Sequence, residues 1–124
     1  MTDQEILQLV DRIRETAYST HRYFGPGHFE KVYENALANR LSKSNMELEQ
    51  QAQITVCDED GTVVGDYIAD LLVHDELIVE LKACECLTHV HECQIMGYLR
   101  ATKFRHGLLI NFGSRKFEIK KFIL

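Results

Sequence analysis

The chain has 124 residues, of which 45% are hydrophobic and 27% are charged, ordinary proportions for a globular domain with its own core. Its net charge of −5 argues against a generic nucleic-acid binder. No apolar run approaches the roughly 20 residues of a membrane span, and the acidic segment 1–5 is unlike a signal peptide. We therefore expect one domain over residues 1–124, no membrane contact and a cytoplasmic location.

The charge is unevenly distributed along the chain. Residues 1–88 carry a net charge of −10, whereas residues 89–124 carry +5. Such asymmetry permits a basic face for phosphates on an otherwise acidic protein. A solvated helix face together with a charged edge strand explains the same pattern, so both interpretations stay open.

Two helices are expected first. Apolar residues at three- and four-residue spacing predict an amphipathic helix over residues 3–20, and the proline and glycines at 25–27 interrupt it. A second helix is expected from about 28 to 44. Glu30 lies in its first turn, where the helix dipole favours a carboxylate. Because Glu30 also lies near the angular position of Tyr33, on a face expected inward, a functional role is a second interpretation.

The remaining segments predict strands around one more helix. Thr88 is expected to cap that helix, with Glu92 close to a capping-box position, and its apolar positions include Val90 and Cys93. The expected strands cover residues 48–57, 62–73, 76–83, 107–113 and 117–122. The order ααβββαββ predicts an α/β or α+β fold with one mixed sheet, in which the strands before and after the third helix are parallel.

Three charged residues lie among apolar neighbours in the stretch 65–83, which reads GDYIADLLVHDELIVELKA. They are Asp70, Glu80 and Lys82. Burying an unpaired charge is costly, so we expect these charges to compensate one another. A turn centred on residue 75 places Asp70 opposite Glu80, and strand alternation places Lys82 on the same side as Glu80.

Facing carboxylates repel unless a cation lies between them. A hard cation such as Mg²⁺ or Mn²⁺ takes oxygen ligands from one or two carboxylates. Lys82 would then hold the attacking water or stabilise charge on a phosphate, Glu30 would add a ligand, and Gln94 would orient water or substrate. This is a hypothesis of metal-assisted phosphodiester hydrolysis. The alternative is a cross-strand salt-bridge set on an exposed face.

A cysteine and histidine cluster suggests zinc as a second metal. It comprises Cys84, Cys86, His89, His91 and Cys93. Structural zinc sites usually space their ligands as C-x₂₋₄-C and H-x₃₋₅-H, whereas these pairs are separated by one residue. We therefore favour buried reduced thiols and surface histidines over a zinc site.

These residues resemble a known superfamily. Asp70, nine residues, and then Glu80-Leu81-Lys82 resemble the D-x(n)-E-x-K signature of the PD-(D/E)XK nucleases, with Ala69 in place of the signature's proline. The stretch GHFEKVY at 27–33 matches the pattern that names the GxxExxY family. The blocks GDYIADLLV, ELKA, HECQIMGYL and GLLINFG are similar to that family's blocks in the same order, so the resemblance covers residues 5–124.

The resemblance implies a restriction-endonuclease-like fold, a mixed central sheet flanked by helices. It implies Asp70 and Glu80 as ligands of Mg²⁺ or Mn²⁺, sharing the ion with the Leu81 carbonyl, and Lys82 as the catalytic lysine. Glu30 would be an auxiliary acid and Gln94 the glutamine of the following helix.

The implied partner is nucleic acid, either DNA or RNA. A domain this small often needs a second copy to span such a substrate, so a homo-oligomer is a further expectation. The competing hypothesis is a non-catalytic binding or assembly module that keeps the fold, because fold does not fix function.

Overall fold

The computed structural model describes all 124 residues and confirms the predicted order ααβββαββ. The three helices are α1 (Asp3–Phe24), α2 (Glu30–Lys43) and α3 (His89–Thr102). The five strands are β1 (Leu48–Cys57), β2 (Val63–Val73), β3 (Leu77–Lys82), β4 (His106–Asn111) and β5 (Glu118–Ile123). No helix is long and apolar enough to cross a membrane.

The five strands form one mixed sheet in the order β1-β2-β3-β4-β5. Neighbouring strands are antiparallel except β3 and β4, which are parallel and are connected by α3. This confirms the parallel pair expected from the β-α-β order. The sheet and its helices have the α+β architecture expected of the PD-(D/E)XK nuclease fold.

Local sequence signals set the ends of the first two helices. The Glu5 N–H donates to Thr2 Oγ1 (3.1 Å) and the Thr2 N–H donates to Glu5 Oε1 (3.2 Å), so a capping box starts α1. The helix continues to Phe24, beyond the predicted end, and stops where Gly25 adopts a positive φ of 67°. After this turn Glu30 is the first residue of α2.

The core lies on both faces of the sheet. The larger cluster packs α1 and α2 against one face, including Leu71, Val79 and Leu81 of the strands. The smaller cluster includes Ile78 of β3 and Leu99 of α3. Strand alternation explains this division, because Ile78 and Glu80 point away from the face that carries Val79 and Leu81.

Two expectations for α3 are wrong. Only Ile95 and Leu99 of this helix are buried, whereas Val90 and Cys93 are exposed, because α3 covers only the smaller cluster. The third helical position is His91 rather than Glu92, so His91 occupies the capping-box position. Glu92 instead pairs with Lys120 of β5 at 2.8 Å.

Candidate active site

The candidate site lies where β2 and β3 separate. These strands form only three residue pairs, Leu71 with Val79, Leu72 with Ile78 and Val73 with Leu77. His74 and Asp75, both with positive φ, form the turn between them. Asp70 and Glu80 are the next residues outward, so the register brings both carboxylates to the mouth of the gap, as a turn centred on residue 75 predicts.

Asp70 takes the place of a backbone acceptor in this gap. Its Oδ2 accepts the Leu81 backbone N–H at 2.8 Å, so a carboxylate rather than a strand carbonyl satisfies this donor. Charge-assisted bonds of this kind are stronger than neutral ones. The bond fixes Asp70 against β3, while its Oδ1 lies at the longer distance of 3.4 Å from Gln51 Nε2.

Glu80 differs from Asp70, because its carboxylate is buried and one of its oxygens accepts no hydrogen bond. The residue is 8% exposed, and its Oε1 is buried without a hydrogen-bond partner. Burial, followed by the charge of Asp70, raises the pKa of Glu80 to about 9. An orphaned oxygen beside a second carboxylate is a donor set that suits a hard divalent cation. The residues present therefore fit Mg²⁺ or Mn²⁺.

Lys82 and Gln94 lie together beside Glu80. Lys82 ends β3, and α3 brings Gln94 back towards the end of that strand. The Lys82 ammonium donates to Gln94 Oε1 at 3.5 Å, and Gln94 is exposed. Because Lys82 is only half-buried, its ammonium stays within reach of a molecule at the surface.

Glu30 lies close to the same charges, at the N-terminus of α2. Its pKa is raised, first by burial and then by the charge of Asp70, and Lys82 partly opposes the shift. A buried tyrosine holds the turn before it: the Tyr33 hydroxyl donates to the Gly25 carbonyl and accepts the His28 N–H at 3.2 Å. Tyr33 also stacks on Phe112, with ring centroids 4.9 Å apart. The tyrosine thus links the position of Glu30 to the core.

Sequence reasoning missed two polar residues that extend the site. Glu34 of α2 is 3% exposed, and its Oε1 accepts Gln51 Nε2 at 2.7 Å. Gln51 therefore lies between Glu34 and Asp70, and it does so with a φ of 51°, uncommon for a residue other than glycine. The spacing of Glu34 four residues after Glu30 was the available signal, because such residues share a helix face. No local signal marks the backbone of Gln51.

Two tyrosines form a wall beside the carboxylates. Tyr67 of β2 and Tyr98 of α3 have ring centroids 4.5 Å apart. Burial, followed by the charge of Glu80, raises the pKa of Tyr98. The wall contributes to the burial of Glu80 and so to the raised pKa of its carboxyl group.

The cysteine and histidine cluster does not converge. Cys84 donates to the Cys86 carbonyl, whereas Cys93 Sγ lies 3.3 Å from His89 Nε2. Cys86 and Cys93 are exposed, so the expectation of buried thiols is wrong. No group of three or more His, Cys, Asp or Glu side chains is placed to hold one metal ion, so Glu30 also does not join Asp70 and Glu80 as the third ligand that the sequence suggested. The zinc interpretation gains no support, while Mg²⁺ needs only one or two carboxylates with water.

Three of the seven basic side chains after residue 88 contact other side chains of the protein. Arg105 pairs with Asp3 at 2.9 Å, and Lys120 pairs with Glu92 at 2.8 Å. Lys121 is half-buried, with its ammonium 2.9 Å from His106 Nδ1. These contacts reduce the positive charge available at three residues, whereas Arg100, Lys103, Arg115 and Lys116 are exposed, so both interpretations of the surplus stay open.

A family model described as PD-(D/E)XK nuclease superfamily matches residues 7–122. The crystal structure of SSO0001 is similar, with a TM-score of 0.60 and 16% sequence identity, over 75% of this chain and 48% of that one. The chain therefore spans about half the length of that solved protein. No curated protein matches the chain significantly.

Proposed function

The chain belongs to the PD-(D/E)XK nuclease superfamily, and we propose that it is a divalent-metal-dependent nuclease hydrolysing phosphodiester bonds of DNA or RNA. The observation that carries the proposal is the buried, unpartnered Oε1 of Glu80 beside Asp70. We further propose that residues 1–124 act as one nuclease domain of the GxxExxY family. Its cytoplasmic location and its assembly as a homo-oligomer stay predictions.

In this proposal Asp70, Glu80 and the Leu81 carbonyl hold Mg²⁺ or Mn²⁺. When bound, such an ion polarises a phosphoryl oxygen and lowers the pKa of its bound water. The protein's own contribution is to hold the two carboxylates in place, one by the Leu81 N–H and the other by burial against the sheet. Preorganised ligands of this kind reduce the rearrangement that binding requires.

Lys82 would act on the substrate itself. Its ammonium lies on the same side of β3 as Glu80, where it would hold the attacking water and neutralise charge on the phosphate. The bond to Gln94 Oε1 restricts where that ammonium can lie. Glu30, whose pKa is raised first by burial and then by the charge of Asp70, would serve as an additional acid at the edge of the site.

A second function is favoured by the charge distribution. A net charge of −5 opposes binding of a polyanionic duplex, and the positive charges of Arg105 and Lys120 are paired with carboxylates within the chain. The alternative is therefore a binding or assembly module that keeps the nuclease fold without cleavage.

Cleavage assays on a lysine variant separate the two functions. Single-stranded, duplex and branched DNA and RNA are incubated with Mn²⁺ and either wild type, Lys82→Ala or Lys43→Ala. Lys43 is a matched control because it is exposed at the far end of α2. We expect Lys82→Ala to lose about 10²- to 10⁴-fold in rate, with Mn²⁺ binding retained and Lys43→Ala unchanged.

Two other results would change the conclusion. Equal cleavage by wild type and Lys82→Ala would attribute the cutting to a contaminating enzyme. Absence of both cleavage and Mn²⁺ binding by calorimetry would reject the nuclease and favour the binding module.

A further inference from the structure

His91 has a hydrogen-bonding state that the fold itself determines. It is the third residue of α3, and Thr88 is the N-cap. The Thr88 backbone N–H donates to His91 Nδ1 at 3.0 Å, and Thr88 Oγ1 lies 3.4 Å from the same atom. His91 thus satisfies one of the donors that a helix start leaves without an intrahelical partner.

This cap selects one tautomer of the imidazole. A ring nitrogen that accepts a hydrogen bond carries no proton, so the proton of the neutral ring must lie on Nε2. Nε2 makes no hydrogen bond within the chain. The fold therefore presents Nε2 as a free N–H donor, a form that cannot ligate a metal through that nitrogen.

The ring also lies at the candidate active site. His91 lines the same cleft as Glu80, Lys82, Gln94 and Tyr98, and it is half-buried. The cleft thus has the carboxylate of Glu80, and donors from Lys82 and the first turn of α3. The N-terminus of α3 adds a partial positive charge on the same side.

We propose that His91 binds the substrate, donating from Nε2–H to a non-bridging oxygen of the phosphodiester beside the metal site. This inference rests on the proposed nuclease function. A phosphate oxygen is the acceptor that a nuclease substrate brings to this position, and a charged acceptor strengthens the bond. His91 and Lys82 would together orient the phosphate, in a cleft that Gln94 and Tyr98 also line.

A substitution can remove the donor while keeping the helix cap. In His91→Asn the side-chain carbonyl lies near the former Nδ1 and still accepts the Thr88 N–H, but no group remains at Nε2. The matched control is His89→Asn, because His89 lies in the same helical turn and its Nε2 contacts Cys93 instead. Affinity for a fluorescein-labelled oligonucleotide is measured by anisotropy with Ca²⁺, a hard cation that takes the same oxygen ligands. The values of kcat and KM are measured with Mn²⁺.

We expect His91→Asn to weaken oligonucleotide binding about tenfold or more, as loss of a hydrogen bond to a charged group predicts. Its melting temperature and Mn²⁺ affinity should match those of wild type, and His89→Asn should bind like wild type. If wild type binds oligonucleotide and His91→Asn binds it equally well, the inference is wrong while the nuclease proposal stands. If wild type binds no oligonucleotide in any metal, the nuclease proposal fails, and the inference fails with it.

A measurement on the unaltered protein covers the case in which His91→Asn does not fold. Long-range ¹H–¹⁵N spectra of the imidazoles are expected to show His91 as the Nε2–H tautomer, and its Nε2 signal should shift when oligonucleotide and Ca²⁺ are added. A proton on Nδ1, or an Nε2 signal that is unchanged by bound oligonucleotide, would overturn the inference.

Discussion

At the scale of single residues, the two central carboxylates are held in different ways. Asp70 receives a backbone N–H from Leu81, whereas Glu80 is buried with one oxygen unpartnered. Without a cation, this arrangement costs folding free energy, because an ionised Glu80 would be buried beside another carboxylate. A bound cation reverses that cost, so metal affinity and fold stability are coupled.

The pH dependence of stability tests this coupling. Glu80 has a pKa of about 9 when folded and an ordinary value of 4.5 when unfolded. The folded state therefore keeps a proton that the unfolded state has released, and stability without metal should fall as pH rises from about 5 to 9. In Glu80→Gln this group no longer titrates. Urea denaturation in EDTA at pH 8 should show the variant about 1–3 kcal/mol more stable than wild type.

The control for this measurement is Glu85→Gln, because Glu85 is exposed. It should keep the pH dependence of wild type. The interpretation of Glu80 is contradicted if Glu80→Gln is less stable than wild type at pH 8, or if its stability changes with pH as steeply.

The sequence predicts some site residues and not others for a physical reason. Asp70, Glu80 and Lys82 follow from strand alternation and a symmetric turn, which are local properties. Glu34 and Gln51 meet only because α2 packs beside β1. Contacts between segments that are distant in the sequence depend on the completed fold, so no local sequence pattern predicts them.

At the scale of elements, the segment between β3 and α3 is held by one buried side chain. Asn111 Nδ2 donates to the Cys84 carbonyl and to Glu118 Oε1, both at 2.9 Å. Its Oδ1 accepts the N–H groups of Cys84 (3.1 Å) and Gly113 (3.0 Å). All the hydrogen-bonding groups of the buried amide are thus engaged. This clamp fixes where α3 begins, and therefore where Gln94 lies.

Two glycine substitutions test how tightly this segment is packed. A Cβ at position 113 would lie 2.3 Å from the Cys84 backbone nitrogen and 2.4 Å from the Ala83 carbonyl carbon. We expect Gly113→Ala to destabilise the protein by at least about 2 kcal/mol, because backbone atoms must move. Gly97→Ala, in α3 with no atom within 4 Å of the added carbon, should stabilise by about 0.5–1 kcal/mol. Urea denaturation measures the free energy of unfolding of both variants. A Gly113→Ala protein as stable as wild type would contradict close packing of Gly113 against residues 83 and 84.

The order of the helices and strands was predictable from the sequence, whereas the side chains that each element buries were less predictable. Turns and hydrophobic periodicity located every helix and strand to within a few residues. They failed for the inward face of α3, where Val90 and Cys93 are exposed. An apolar residue in a helix shows that burial is favourable there, but a neighbouring element must be present to provide it.

At the scale of the whole molecule, the net negative charge of the protein opposes the binding of nucleic acid. The net charge is −5, and several positive side chains are paired within the chain. In the candidate site, the charge of Asp70 contributes to the raised pKa of both Glu30 and Glu80. Phosphate groups would be repelled by the net negative charge and by Asp70 unless a cation compensates them.

Oligonucleotide binding should therefore depend on divalent metal. With EDTA we expect affinity at least about tenfold weaker than with Ca²⁺, because the charge of Asp70 is then uncompensated and no cation is present to bind the phosphate. Anisotropy titrations at constant ionic strength measure this difference, and Asp70→Asn serves as a variant with one repelling charge removed. Equal affinity of wild type in EDTA and in Ca²⁺ would contradict the expected role of the metal in recognition.

The bond between Asp70 Oδ2 and the Leu81 amide also provides a natural probe. The amide resonance of Leu81 senses the electron density of the carboxylate that it touches, at 2.8 Å. Occupation of the gap by a cation would withdraw that density and move the signal, without any label on the acidic residues themselves. The chemical shift of one backbone amide in an ordinary ¹H–¹⁵N spectrum would thus report the metal occupancy of the site for each cation tested and at each pH.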